Sequence, residues 1–173
     1  VPLSRTEIVQ AFEALGGEIS TARVELVVVG GAELVLLYQA RESTKDVDAF
    51  SLTSDSDSAV KAAARRVADR LDLPEDWLND AAKGYVRGLS LGPVLIETPS
   101  VVVRTLAPEQ LLAMKLAAWR DDVDVDDARL LISKLPGDRD LVWSRIEPHL
   151  LPGRELKARY AFDDLWEERR GRS

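Results

Sequence analysis

The apolar run at residues 24–29, Val24-Glu25-Leu26-Val27-Val28-Val29, is β-branched and almost uninterrupted, and it predicts a strand. Before it, Ser4 with Glu7 three residues on is a capping-box signal for a helix whose Ile8, Phe12 and Leu15 share a face, with Gly16-Gly17 as its stop. After it the pattern predicts a helix over 32–41, a strand over 45–52 and a polar loop over 51–58. A helix over 58–71 follows, with Val60, Ala64, Val67 and Leu71 on one stripe, stopping before Pro74. Another short helix is expected to carry Trp77 and Leu78.

Two more strands are expected over 94–97 and 101–106, with Thr98-Pro99-Ser100 as the turn between them. Beyond Pro108 the periodicity is helical throughout, with helices expected over 108–119, 124–135, 138–147 and 153–168. Pro136-Gly137, Pro148 and Pro152-Gly153 punctuate them. The expected fold class is therefore α/β (α+β): a small mixed sheet flanked by helices over 1–107, then a helical bundle over 108–173.

Composition narrows the partners. A chain of 173 residues with 46% hydrophobic content can bury one sizeable core, or a small domain plus a helical appendage. With no cysteine, disulfides and thiolate metal sites are excluded. No apolar stretch reaches the roughly 20 residues that span a bilayer, and the start lacks the layout of a signal peptide, so a cytoplasmic protein with no membrane partner is expected. The net charge of −7 gives no global attraction to nucleic acid. Local basic candidates are Lys61, Arg65, Arg66 and Arg70, and near the C-terminus Arg154, Lys157, Arg159, Arg169, Arg170 and Arg172, each also readable as a solvated helix face.

The chemistry begins where the first strand ends, at Gly30-Gly31. Backbone N–H groups are free at such a turn, and without a Cβ a phosphate can approach closely. If residues 45–50 form a strand, Asp46 and Asp48 project from the same face, about 6–7 Å apart, and a divalent metal is the natural counterion. In the helical half, Lys115 shares a face with Leu111, Leu112 and Trp119. It either meets an anion there or snorkels its amine outward. Asp124 and Asp127 share a helix face, and first-turn acids are also explained by the helix dipole alone. His149 is the only histidine and lacks partners for a triad, so a capping or surface place is expected. Trp77, Trp119, Trp143 and Trp166 are expected in the core or in seams between helices.

As an ordered set, Gly30-Gly31, Thr44-x-Asp46-x-Asp48, Trp77-Leu78-Asn79-Asp80, Leu112-Ala113-Met114-Lys115-Leu116 and Asp124-x-x-Asp127-Ala128 resemble the compact bacterial nucleotidyltransferases related to the AbiEii and MenT toxins of type IV toxin–antitoxin systems. The resemblance spans about residues 24–135. It implies a nucleotidyltransferase-like sheet, phosphate binding at Gly30 and Gly31, and metal binding, with two Mg²⁺ ions, at Asp46 and Asp48. It implies contact of Lys115 with a nucleoside triphosphate and a catalytic aspartate at Asp124 or Asp127. Thr44 matches a hydroxyl position that some relatives have phosphorylated by their antitoxin. The implied acceptor is the 3′ end of a transfer RNA, with a cognate antitoxin as partner. A protein hydroxyl as acceptor and an inactive interaction module stand as alternatives. The wider superfamily has a third carboxylate on a further strand, where Glu97 is the acid available; it either serves, leaves the role to Asp124 or Asp127, or faces solvent. For Asn79 a place near the nucleotide base is one hypothesis.

Overall fold

The structure is a computed structural model that describes residues 2–20, 23–119 and 122–171. Arg172, one of the basic candidates, and Arg120-Asp121, at the start of the acidic stretch, lie outside the described residues. The chain divides into two compact units, Val1–Gly84 with Leu91–Leu106, and Tyr85–Ser90 with Ala107–Ser173.

In the first unit, β1 (Leu3–Ser4) leads into α1 (Arg5–Glu18), β2 (Val24–Val29), α2 (Gly30–Leu36), β3 (Ser43–Thr44), β4 (Val47–Ser51), α3 (Asp57–Leu71), β5 (Leu78–Asn79), β6 (Leu91–Glu97) and β7 (Val101–Leu106). Five strands form one mixed sheet in the order β5-β4-β2-β7-β6, and β1 pairs separately with β3. β2 lies at the centre, parallel to β7 and antiparallel to β4. Its residues are buried except half-buried Glu25, and Val24, Leu26 and Val28 join the apolar core that α1 and α3 complete through Ile8, Phe12, Leu15, Ala64 and Val67. This is the small α+β arrangement expected of a nucleotidyltransferase-like fold.

The capping box at α1 forms as expected: the Glu7 amide donates to Ser4 Oγ at 3.3 Å and the Ser4 amide to Glu7 Oε2 at 2.8 Å. The helix does not stop at Gly16-Gly17 but runs on to Glu18. Gly16 serves a close approach instead, because a Cβ there would stand 2.4 Å from Thr98 Oγ1 in the β6–β7 turn. The second helix is also shifted from expectation, spanning Gly30–Leu36 rather than 32–41. Gln39 takes a left-handed backbone (φ 50°) and the Ala40 amide closes onto the Leu34 carbonyl at 3.0 Å, ending the helix well before Arg41.

Trp77 and Leu78 correct a third expectation, since Leu78–Asn79 is a strand and not a helix. The Trp77 indole is fully buried, donates from Nε1 to the Ala64 carbonyl at 3.0 Å and meets Phe12 edge-on with centroids 5.7 Å apart. Its own carbonyl accepts from the Val47 amide at 2.7 Å, which starts the β4–β5 ladder. A ring anchored in the core plus a backbone ladder outweighs a local helical preference. The β6–β7 hairpin turns at Thr98-Pro99-Ser100 as expected, with Pro93 tolerated because β6 is an edge strand.

The second unit holds α4 (Pro108–Ala118), α5 (Asp122–Lys134), α6 (Arg139–Ile146) and α7 (Glu155–Gly171). Trp143, Phe162 and Trp166 stack in sequence with centroids 5.3 and 5.5 Å apart. Trp119 caps α4 in a left-handed conformation (φ 40°) and is half-buried. Residues Tyr85–Ser90 are tied to this unit: Gln110 Oε1 accepts from the Ser90 amide at 2.7 Å, and His149 Nδ1–H donates to the Arg87 carbonyl at 3.0 Å. The lone histidine is thus a loop anchor. No helix among the described residues is long and apolar enough to cross a membrane.

Candidate active site

The site in the first unit follows from strand register. β4 runs antiparallel to β2, so its beginning lies beside the end of β2, and Asp48 pairs opposite Val29. That places the Asp48 carboxylate one residue from the diglycine bend. Gly30 has a left-handed backbone (φ 66°), a conformation strained for other residues, and a Cβ there would lie 3.8 Å from Asp48 Oδ2. A Cβ on Gly31 would stand 2.6 Å from Thr44 Oγ1 and 3.6 Å from Arg41 Nη1. The bend must therefore be bare backbone, bracketed by a carboxylate, a hydroxyl and a guanidinium.

Asp46 has a different setting from the one its spacing predicts. The strand begins at Val47, so Asp46 stands in a bend ahead of it rather than inside an alternating strand. Asn79 orients it: Asn79 Nδ2 donates to Asp46 Oδ2 at 3.2 Å, while Asn79 Oδ1 accepts from the Ala81 amide at 3.1 Å. Asn79 is itself held by the β4–β5 register, paired with Asp48. A neutral amide fixes one oxygen of Asp46 without removing its charge, which is the usual task of a group behind a metal ligand. Both carboxylates remain half-buried.

The Asp48 carboxylate against bare backbone, with Asp46 two residues before it, is a donor set that suits Mg²⁺, which takes hard oxygen donors and commonly uses one or two protein carboxylates, completing its shell with water and substrate phosphate. Among the described residues no group of three or more histidines or acids gathers as a metal cage. Glu97 does not supply a third carboxylate here. It pairs with Val102, which pairs with Glu25, four positions along β2 from Val29, so it stands about 13 Å down the sheet. It is exposed and ion-paired with Arg23.

The second unit brings together Lys115, Asp124 and Asp127. Lys115 Nζ lies 3.1 Å from Asp124 Oδ1 and 2.8 Å from Asp127 Oδ2, and the three residues are 7%, 1% and 4% exposed. The lysine on the apolar stripe thus meets anions rather than snorkelling, and the two aspartates are more than first-turn dipole partners. The basic candidates on α3 also have carboxylate partners: Arg66 and Arg70 hold Glu18 at 2.8 and 3.0 Å, Lys61 holds Asp80 at 3.1 Å and Arg65 holds Glu75 at 3.4 Å. Near the C-terminus Arg159 pairs with Asp163 at 3.1 Å, and Arg169 lies over the Trp166 ring at 4.9 Å.

Two residues near the bend escaped the pattern reading. The helical pattern over 32–41 puts Arg41 at a helix end, and the signal that sets it apart is its place three residues before Thr44. Glu33 is fully buried in α2, and neither carboxylate oxygen has a hydrogen-bond partner among the described residues. Its signal was a charge among Ala32, Leu34, Val35 and Leu36, all apolar. Burial pushes its pKa well above the ordinary carboxylate value of 4.5, opposed only by the nearby Leu106 backbone. The folded state therefore keeps a proton that the unfolded chain releases above about pH 4.5. The stability this proton linkage provides is present below that pH and is lost as pH rises toward the folded-state pKa, at up to about 1.4 kcal/mol per pH unit. Glu33→Gln should remove that slope, so urea denaturation from pH 4 to 8 should show the variant gaining on the parent as pH rises; parallel profiles would refute it.

A family model described as a nucleotidyltransferase of unknown function (DUF6036) matches residues 6–142. No curated protein and no solved structure matches the chain.

Proposed function

Since the chain belongs to this nucleotidyltransferase family of unknown function, we propose that it transfers a nucleoside monophosphate from a nucleoside triphosphate to an acceptor hydroxyl, with Asp46 and Asp48 as the metal-binding pair and Gly30-Gly31 as the phosphate cradle. The observation that carries this reading is the register of Asp48 opposite Val29, which sets a carboxylate against the diglycine backbone.

Mg²⁺, when bound by Asp46 and Asp48, supplies positive charge that offsets the charge developing on the entering and leaving oxygens. The bend amides orient the donor's phosphates, and Asn79 holds Asp46 so that one carboxylate oxygen is already directed by a hydrogen bond. The acceptor oxygen bonds to the α-phosphorus, the bond to the β-phosphate bridging oxygen breaks, and pyrophosphate leaves; the acceptor's proton passes to solvent or a carboxylate.

For the acceptor we propose the 3′ end of a transfer RNA, in a toxin held in check by a cognate antitoxin; this rests on the motif order between residues 24 and 135. Thr44 is the proposed point of control, because its hydroxyl lies against Gly31, and a phosphate there would fill the cradle with negative charge. The catalytic part of Lys115, Asp124 and Asp127 rests on the same resemblance. A protein hydroxyl is the second reading, favoured by the net charge of −7 and by the carboxylate partners of the α3 basic residues.

The test is transfer of label from each α-labelled nucleoside triphosphate, with Mg²⁺, to purified transfer RNA and separately to cell protein. Label on RNA is expected, label on protein would replace the acceptor, and the absence of Mg²⁺-dependent nucleotide binding would leave an interaction module.

A further inference from the structure

Arg41 lies outside every motif that carries the resemblance, yet the fold delivers it to the diglycine bend. The chain leaves α2 at Leu36, reverses through left-handed Gln39, and enters β3, which β1 holds by pairing Leu3 with Thr44 and Ser4 with Ser43. The position of Arg41 is thus fixed from both sides. Its Nη1 stands 3.6 Å from where a Gly31 Cβ would be, on the same dipeptide that Asp48 Oδ2 approaches at Gly30. Along two residues of bare backbone the site therefore offers a carboxylate at one end and a guanidinium at the other.

That polarity matches a magnesium-bound polyphosphate, whose metal end needs anions and whose phosphate tail needs a cation. We propose that Arg41 binds the β- and γ-phosphates of the donor, and so the pyrophosphate that leaves. This rests on the nucleotidyltransferase reading of the site. The planar fork of a guanidinium makes paired hydrogen bonds to phosphate oxygens that an ammonium cannot reproduce. It also stays charged at every working pH.

The experiment is calorimetric binding, with Mg²⁺, of three probes to the intact protein: a nucleoside triphosphate, the corresponding monophosphate, and inorganic pyrophosphate. Arg41→Gln should weaken triphosphate and pyrophosphate binding about tenfold or more, and leave the monophosphate unchanged. Arg41→Lys should fall between the parent and Arg41→Gln. Equal losses for all three probes, or none, would overturn the role of Arg41 while leaving the nucleotidyltransferase reading intact. Failure of the parent protein to bind any triphosphate would overturn both. If Arg41→Gln proves less stable on heating, Arg41→Lys decides alone: a loss confined to the triphosphate and pyrophosphate supports the assignment, and an even loss refutes it.

Discussion

Asp48→Asn is expected to lower nucleotidyl transfer by roughly a thousandfold, about 4 kcal/mol of transition-state stabilisation, with little change in melting temperature. The side chain is half-buried and its backbone sits in the β2–β4 ladder, so the amide keeps the shape of the strand while removing one of two anions that would hold the metal. Asn79→Ala should act on the same feature more gently. It frees Asp46 Oδ2 without touching its charge, so the Mg²⁺ concentration for half-maximal rate should rise about tenfold and saturating Mg²⁺ should restore most of the rate. A contact of Asn79 with the nucleotide base would instead raise the donor's KM at every Mg²⁺ concentration. Steady-state label transfer across a Mg²⁺ titration separates these outcomes. Full activity in Asp48→Asn would remove the metal-dependent reading of the site.

How much of this was legible depends on what fixes each residue. The β2 run, the Ser4–Glu7 box and the Thr98–Ser100 turn are set by near neighbours, and their sequence signals carried through to the structure. Asp46, Asn79 and Trp77 are set by partners 13 to 33 residues away, through the Asn79–Asp46 and Trp77–Ala64 hydrogen bonds, and no local period encodes those. The diglycine is legible as a helix start, and α2 does begin at Gly30, but the neighbours that require bare backbone there, Asp48, Thr44 and Arg41, are set by register and by the path of the chain after the helix. Glu33 shows the converse: its apolar sequence neighbours are plain to see, but only the packed fold reveals that its carboxylate is buried with no side-chain or cation partner among the described residues. Residue type announced the site's chemistry, while register and long-range contact assembled it.

Lys115→Met should cost about 3–5 kcal/mol of stability, the range for breaking a buried ion pair by removing one partner. For a chain of 173 residues that corresponds to a melting temperature lower by roughly 10 °C. The methionine fills much the same space, so the loss is electrostatic: Asp124 and Asp127, 1% and 4% exposed, would keep two buried charges without the ammonium that lies 3.1 and 2.8 Å from them. The triple variant Lys115→Met with Asp124→Leu and Asp127→Leu removes these three charges together and should recover most of the stability, since replacing buried ionic groups by apolar side chains of similar volume costs little. An unchanged melting temperature in Lys115→Met would show that the ionic triad does not support the fold. The triple variant then separates architecture from chemistry. Activity that returns with stability confines the triad to holding α4 and α5 in place, whereas a stable, inactive protein assigns these residues to the transfer reaction, as the family resemblance implies.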